Sequence, residues 1–147
     1  MAKPPPAAVP DTSVVLKWFL HEQEPLRQQA LALRQAYLQG TLQLVIPDLL
    51  PHEFGNVLRY KPGWDSARVE LAVRSLYALK LEVAPVNPEL LARAVALAFA
   101  CDITVYDAAF VALAAERGTV FISADEKLVR RLAGRARARP LSTVPTI

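Results

Sequence analysis

The sequence has few of the residues that build thiol or zinc sites. It contains one cysteine, Cys101, and two histidines, so an internal disulfide is impossible and no cysteine–histidine cluster suggests zinc. No apolar run approaches the roughly 18–20 residues that a membrane-spanning helix needs. Proline and aspartate interrupt the opening segment MAKPPPAAVPDTS. We therefore expect no membrane span, no signal peptide and a cytoplasmic location.

Apolar residues, by contrast, are abundant. They make up 53% of the 147 residues, which is enough for one core in a chain of this length. We expect a single domain over residues 1–147, with residues 1–6 as a flexible, proline-rich leader. The net charge is only +3, but the chain after Glu126 contains basic residues and no acidic one. Such an end suits an anionic partner such as nucleic acid, and a solvated face is the simpler alternative.

Short strand patterns alternate with helical patterns along the chain. Proline or glycine bounds several of the strands, and apolar residues recur at helical spacing between them. The five predicted strands are Ala7–Val9, Leu44–Ile46, Glu82–Val86, Thr119–Ser123 and Pro140–Thr143. This order predicts an α/β protein, a three-layer α/β/α sandwich with a mainly parallel central sheet. In such sheets ligands bind beyond the carboxyl ends of the strands, near a switch in strand order.

Four acidic residues occupy related positions in this pattern. Asp11 follows the first predicted strand and Asp125 follows the fourth. Glu53 and Asp107 fall in the first turns of helices, each beside apolar residues. Because the carboxyl ends of parallel strands share one edge of the sheet, we expect all four side chains at that edge.

Each acid also has a simple structural explanation. Asp11 could cap a helix, Thr104 and Asp107 match a capping box, and Asp125 lies within a second such box, SADE. Glu53 could be an ordinary solvated helix residue. Taken together, however, four carboxylates at one edge repel each other unless a cation lies between them. Oxygen ligands favour Mg²⁺ or Mn²⁺, and such a site predicts phosphoryl transfer.

These segments also resemble a known family. VPDTSVVLKWF, PDLLPHEFGNVL, ITVYDAAFVALAAERG and VFISADEKLVRR are similar, in order and spacing, to the four motifs of PIN domains. The likeness is greatest to small single-domain ribonucleases of VapC type, the toxins of toxin–antitoxin pairs, and it spans about Val9 to Thr143. It implies a doubly wound sandwich whose acidic tetrad falls on Asp11, Glu53, Asp107 and Asp125. The supporting hydroxyl residues fall on Ser13 and Ser123.

The resemblance also implies what the protein does. We expect a metal-dependent endoribonuclease that uses Mg²⁺ or Mn²⁺, cleaves RNA, forms a homodimer and is blocked by an antitoxin protein. Two features depart from the family pattern. The leader places the first acid unusually late, and Pro10 removes a backbone donor at the end of the first strand, so that strand is expected to be short or partly unpaired.

Three other functions are alternatives to this one. A phosphatase with an aspartyl nucleophile would carry a second carboxylate two residues after the first, where this chain has Ser13. A non-catalytic binding protein with the same fold would not need an intact tetrad. A PIN-fold nuclease in RNA processing, outside any toxin–antitoxin pair, is the third possibility, and an antitoxin gene next to this one would discriminate against it.

Several residues outside the tetrad bear on these choices. Asp102 is a nearby acid that the tetrad does not need, and His21 and His52 are expected to be exposed and non-catalytic. Trp18 and Phe19 are expected to be core or dimer contacts rather than base-stacking platforms. The candidate contacts to an RNA backbone are Lys17, Arg59, Lys127, Arg130 and Arg131.

Overall fold

The computed structural model describes residues 2–146. Met1, within the expected leader, and Ile147 lie outside the described residues. The elements are β1 (Ala7–Pro10), α1 (Thr12–Leu16), α2 (Arg27–Leu38), β2 (Gln43–Pro47), α3 (Leu50–Arg59), α4 (Ser66–Ala78), β3 (Glu82–Ala84), α5 (Pro88–Cys101), α6 (Val105–Glu116), β4 (Val120–Ser123), α7 (Glu126–Arg131) and β5 (Ala138–Pro140), followed by a 3₁₀ turn at Leu141–Thr143.

The strands form one parallel sheet in the order β3-β2-β1-β4-β5. Helices flank this sheet, which confirms the predicted α/β fold. The path runs from β1 outward to β3 and then returns to place β4 on the other side of β1. The switch in strand order therefore lies between β1 and β4, where doubly wound sheets bind their ligands.

The central strand β1 is short, and its pairing is one-sided near Pro10. It has four residues and pairs with β2 only at Ala7 and Ala8, whereas it pairs with β4 from Ala8 to Pro10, which stands opposite Ile122. The amide of Asp11 then donates to the carbonyl of Ile122 (3.0 Å), so the ladder with β4 continues one residue beyond the proline. The structure therefore agrees with the expectation of a short or partly unpaired first strand.

The predicted position of the last strand is wrong. The structure puts β5 at Ala138–Pro140, whereas Pro140–Thr143 was predicted to be extended. Leu141–Thr143 instead form a 3₁₀ turn in which the Thr143 hydroxyl donates to the carbonyl of Pro140 (2.8 Å). The short edge strand contains Arg139 and so has no continuous apolar run that would mark it in the sequence.

Helix α6 is the centre of the core. It packs against β1, β2 and β4, and α5 packs on it. Its residues 108–114 are all buried, as the apolar sequence of this segment predicts. Phe54, Phe110 and Phe121 are among the largest fully buried side chains. This packing fixes the first turn of α6 relative to the ends of β1 and β4.

Trp18 and Phe19 contribute to the core, as expected from the sequence. The buried Trp18 indole donates to the carbonyl of Ala30 (2.8 Å). Phe19 meets Phe54 edge to face, with ring centroids 5.1 Å apart. The Trp18 ring is therefore unavailable for base stacking, and the partly buried Phe19 ring packs against the core.

Within residues 2–146 no single helix has the length and hydropathy of a membrane span. Helices α5 and α6 pass that test only as a pair, and they are bent by 116° at the break between them.

Candidate active site

The four predicted acids are carried by four different elements at the carboxyl edge of the sheet. Asp11 follows β1 and caps α1, and Asp125 follows β4 and caps α7. Glu53 lies in the first turn of α3, and Asp107 lies in the first turn of α6. The strand ends and helix starts therefore bring together acids that are up to 114 residues apart in sequence.

Asp11 is the most buried of the four. Its exposed fraction is 6%, and its carboxylate accepts hydrogen bonds from the hydroxyls of Ser13 and Ser123, each at 2.5 Å, and from the amide of Val14 (3.3 Å). Burial raises the pKa of Asp11 to about 6, and the charge of Asp107 adds to this rise, although the hydrogen bonds oppose it. The carboxylate is thus ionised near neutral pH at an energetic cost.

Ser13 and Ser123 join the first and fourth strand ends. The structure brings both predicted hydroxyls onto Asp11, and each also accepts a backbone amide. The amide of Ala124 donates to Ser13, and the amide of Asp125 donates to Ser123, both at 3.0 Å. Because each hydroxyl accepts one amide and donates to Asp11, the network fixes the Asp11 side chain and the turn that leads to Asp125.

Glu53 is held by a residue that the sequence reasoning missed. The Thr12 hydroxyl donates to Glu53 Oε1 at 2.7 Å. Burial raises the pKa of Glu53 and the charge of Asp107 adds to the rise, whereas the Thr12 hydrogen bond lowers it. Thr12 stands between Asp11 and Ser13, so its place in the DTS motif was the available signal. Only the fold shows that this hydroxyl turns toward α3 while Ser13 turns toward Asp11.

Asp107 is the electrostatic centre of the set. Its charge raises the pKa of Asp11 and of Glu53, and the charge of Asp125 raises the pKa of Asp107, after burial as the largest cause. Asp107 therefore lies within electrostatic reach of all three other acids. We name these four residues the acid edge.

The structural explanations for the acids hold alongside this coupling. The Thr104 hydroxyl accepts from the amide of Asp107 (3.0 Å), as a capping box requires. Asp11 is an N-cap, as predicted. The second box was assigned wrongly, because Asp125 itself caps α7 by accepting from the amide of Leu128 (3.1 Å). Capping orients these carboxylates but does not offset the repulsion between them.

The acid edge has the donor chemistry that a divalent cation requires. Its donors are all carboxylate and hydroxyl oxygens, which suit Mg²⁺ or Mn²⁺. The pKa values of Asp11, Glu53 and Asp107 are raised chiefly by burial and further by a neighbouring acid, so a cation beside them would be favourable. Among residues 2–146, however, no three acids, histidines or cysteines stand close enough to enclose an ion by themselves. This arrangement fits Mg²⁺, which keeps several waters and needs only one or two carboxylates directly.

An open cleft borders one side of the acid edge. Its volume is about 440 Å³, and its walls include Asp107, Asp125, Lys127 and Arg131. Lys127 is exposed and brings a cation beside two of the acids. The Arg131 guanidinium donates to the carbonyl of Asp102 at 2.6 Å. Arg131 therefore braces the turn that precedes α6, in addition to lining the cleft.

The other predicted RNA contacts fall in different surroundings. Lys17 is only 7% exposed, and its ammonium pairs with Glu24 at 3.0 Å. The expectation that Lys17 contacts an RNA backbone is wrong, because its charge is already used inside the protein. Arg59 and Arg130 are exposed, as are His21 and His52.

Comparison with known proteins identifies the family. The sequence matches the PIN domain family over residues 8–134. The chain belongs to this family. The match contains all four residues of the acid edge. The comparison with curated proteins found no match.

Solved structures share the fold of this PIN domain. A protein from Pyrobaculum aerophilum is 20% identical and superposes with a TM-score of 0.65, covering 97% of this chain and 94% of the other. A chain of a toxin–antitoxin complex from Klebsiella pneumoniae is 19% identical (TM-score 0.65; 95% and 99% covered). A chain of VapBC-1 from nontypeable Haemophilus influenzae is 15% identical (TM-score 0.66; 93% and 99%).

Proposed function

We propose that this PIN domain is a metal-dependent endoribonuclease and the toxin of a toxin–antitoxin pair. The observation that carries the proposal is the acid edge, in which Asp107 couples electrostatically to three other carboxylates at the switch point of the sheet. A fold has no structural need for this repulsion. A bound cation and the phosphodiester of a substrate would explain why the four carboxylates lie together.

In the proposed reaction, Asp11, Asp107 and Asp125 would hold a Mg²⁺ or Mn²⁺ ion, one or two of them directly and the rest through bound water, and Glu53 would complete the site or orient a water. Such an ion supplies an activated water and neutralises negative charge on the phosphate. Ser13 and Ser123 keep the Asp11 carboxylate in place. Lys127 lies beside the acids on the cleft wall and suits a phosphate of the bound strand. The expected products carry 5′-phosphate and 3′-hydroxyl ends.

The proposed partners are an antitoxin protein and a second copy of this chain. The fold is shared with chains from toxin–antitoxin complexes, which supports an antitoxin that blocks the acid edge with a basic side chain. Helix α5 exposes Leu91, Val95 and Phe99 at a spacing of four residues, and Phe99 is 85% exposed. This apolar stripe supports the proposed homodimer. Analytical sedimentation tests it, because Phe99→Glu should sediment with a lower mass than wild type.

Cleavage of a mixed pool of structured RNAs tests the proposal. Purified protein should cleave RNA with Mg²⁺ or Mn²⁺ and stop in EDTA, and Asp107→Asn should abolish cleavage. Asp48→Asn is the matched control. Asp48 lies at the end of β2 on the same edge, is exposed, and accepts only from the amide of Val86 (3.4 Å) among the described contacts.

The outcomes separate the alternatives. Equal cleavage by wild type and Asp107→Asn would contradict the acid edge as the active site. A wild type that neither cleaves RNA nor binds Mn²⁺ by calorimetry would favour a non-catalytic PIN-fold binding protein. Metal-dependent cleavage by a protein with no antitoxin gene beside its own would favour an RNA-processing nuclease.

A further inference from the structure

A second cleft borders the acid edge at the start of α6. It has a volume of about 470 Å³ and is lined by Leu49, His52, Glu53, Asn56 and Tyr106. The volume falls within the range of about 300–1,000 Å³ that is typical of small-molecule pockets. Glu53 belongs to both the cleft and the acid edge, so a group bound here lies directly beside the proposed reaction site.

Tyr106 is an unusual residue to find on this wall. It is 67% exposed and directly precedes Asp107 in the first turn of α6. Successive helical residues point about 100° apart, so the ring and the Asp107 carboxylate leave the helix in neighbouring directions. The carboxylate lines the 440 Å³ cleft with Lys127, whereas the ring lines the 470 Å³ cleft. The two clefts therefore approach the acid edge with different chemistry.

The chemistry of the second cleft disfavours a phosphate and favours an uncharged, flat group. Glu53 is its one carboxylate and would repel an anion. The Asn56 side-chain amide offers a donor and an acceptor together, the combination that reads the edge of a nucleobase. A tyrosine ring offers a flat face on which a nucleobase can stack. Its lining contains no lysine or arginine.

We propose that this cleft binds one nucleobase of a single-stranded RNA, immediately beside the phosphate at the acid edge. Tyr106 stacks on the base, and Asn56 hydrogen-bonds to the edge of the base. This inference rests on the proposed function for the identity of the neighbouring phosphate. It makes Tyr106 and Asn56 the residues that select which nucleotide flanks the cleavage site.

The surroundings of the cleft extend the same path. His52 and Asn56 also line a groove of about 630 Å³ between α3 and α4, together with Arg59 and Trp64. Arg59 is exposed at the end of α3. The groove also contains Asp65 and Glu70, so a strand that continued along it would find a phosphate contact at Arg59 and repulsion at these two acids.

Binding of short, unstructured oligoadenylate RNA in EDTA tests the inference without cleavage. Tyr106→Leu should weaken binding by about fivefold to a hundredfold, as expected for the loss of one stacked base, whereas Tyr106→Phe keeps the ring and should bind like wild type. Tyr77→Leu is the matched control, because Tyr77 is an exposed tyrosine of α4 outside both clefts. Fluorescence anisotropy provides the dissociation constants.

A cycle between protein and RNA tests the contact itself. The RNA is a substrate whose cleavage position has been mapped. One abasic nucleotide is placed in turn at each position that flanks the scissile bond. At the position that the cleft reads, the abasic change should weaken binding to wild type much more than binding to Tyr106→Leu, which keeps only the Asn56 contact to the base. A purely structural role for Tyr106 would instead give independent losses, which would overturn the inference.

The remaining outcomes are equally decisive. Equal RNA affinity of Tyr106→Leu and wild type would refute the base subsite. If that variant also sedimented as a smaller species, the ring would be a contact between copies of this chain. Wild-type protein that binds oligoadenylate through Tyr106 but cleaves no RNA with Mg²⁺ or Mn²⁺ would sink the proposed nuclease function while leaving the base subsite standing.

Discussion

Replacing the buried Asp11 carboxylate by an amide should stabilise the metal-free protein at neutral pH. The pKa of Asp11 is raised from its ordinary value of 3.8 to about 6, chiefly by burial. One pKa unit corresponds to about 1.4 kcal/mol, so the ionised carboxylate costs the folded state about 3 kcal/mol. Asp11→Asn removes this charge and keeps an oxygen that can accept from Ser13 and Val14.

The sign of the pH dependence follows from the direction of the shift. The folded protein holds the Asp11 proton more tightly than the unfolded chain does. The cost is therefore absent below pH 3.8, grows as the pH rises from 3.8 to 6, and is complete above pH 6. Part of the stabilisation expected for Asp11→Asn is lost at Ser123. In wild type the Ser123 hydroxyl donates to the Asp11 carboxylate, whereas the variant places an amide NH₂ group against that hydroxyl. A poor hydrogen bond there costs about 1 kcal/mol.

Urea unfolding followed by circular dichroism in EDTA measures this effect. The free energy of unfolding of Asp11→Asn minus that of wild type should rise by about 2–3 kcal/mol between pH 4 and pH 7. Asp65→Asn is the matched control, since Asp65 caps α4 at an exposed position by accepting from the amide of Arg68 (2.9 Å). A difference for Asp11→Asn that does not change with pH would refute the reasoning.

A metal arm completes the experiment. If the acid edge holds a divalent cation, Mg²⁺ or Mn²⁺ should stabilise wild type by about 2.7 kcal/mol at a hundredfold excess over the dissociation constant. Asp11→Asn should gain much less, because it has lost one of the proposed ligands. Equal metal stabilisation of both proteins would exclude Asp11 from the metal site.

Three further predictions concern the frame of the site. Lys17→Met should leave RNA affinity unchanged in anisotropy but lower the free energy of unfolding, because Glu24 loses its buried partner; weaker RNA binding would contradict the structural role. Phe54→Ala should destabilise the protein by about 3–5 kcal/mol in urea unfolding, since the ring is fully buried; a loss below about 1 kcal/mol would contradict the packing. Arg131→Ala should speed amide hydrogen exchange at residues 103–106, because the hydrogen bond to the carbonyl of Asp102 is lost. Unchanged exchange there would show that this hydrogen bond does not stabilise the turn before α6.

The layout of the sheet was predictable because its central strands are short apolar runs between clear breakers. The same rule failed at β5, where Arg139 lies within an edge strand. It succeeded at Pro10, because a missing backbone donor is visible in the sequence and the pairing of β1 with β2 ends before that residue. Local patterns report burial, so an edge strand that carries a charged residue needs the tertiary structure.

The acids were predictable because each one occupies a recognisable position after a strand or at a helix start. Their partners were less so. Thr12 and Ser13 are adjacent and chemically alike, yet one serves Glu53 and the other Asp11. The Lys17–Glu24 pair was hidden because it joins the end of α1 to a loop. A lysine at such a position is usually solvated, so the sequence predicts an exposed Lys17. Only the fold places Glu24 beside it.

The hydrogen bond from Ser123 to Asp11 has a consequence for the order in which the site is completed during synthesis. It joins residues 112 positions apart, and Asp125 follows two residues later. A chain still being synthesised has Asp11 and Glu53 long before it has β4, and Asp107 only 13 residues before it. Until β4 pairs with β1, Asp11 lacks its Ser123 partner and the acid edge lacks its fourth member. The nascent polypeptide therefore carries an unfinished site, and the proposed cleavage of RNA would begin only after β4 has been made and has paired.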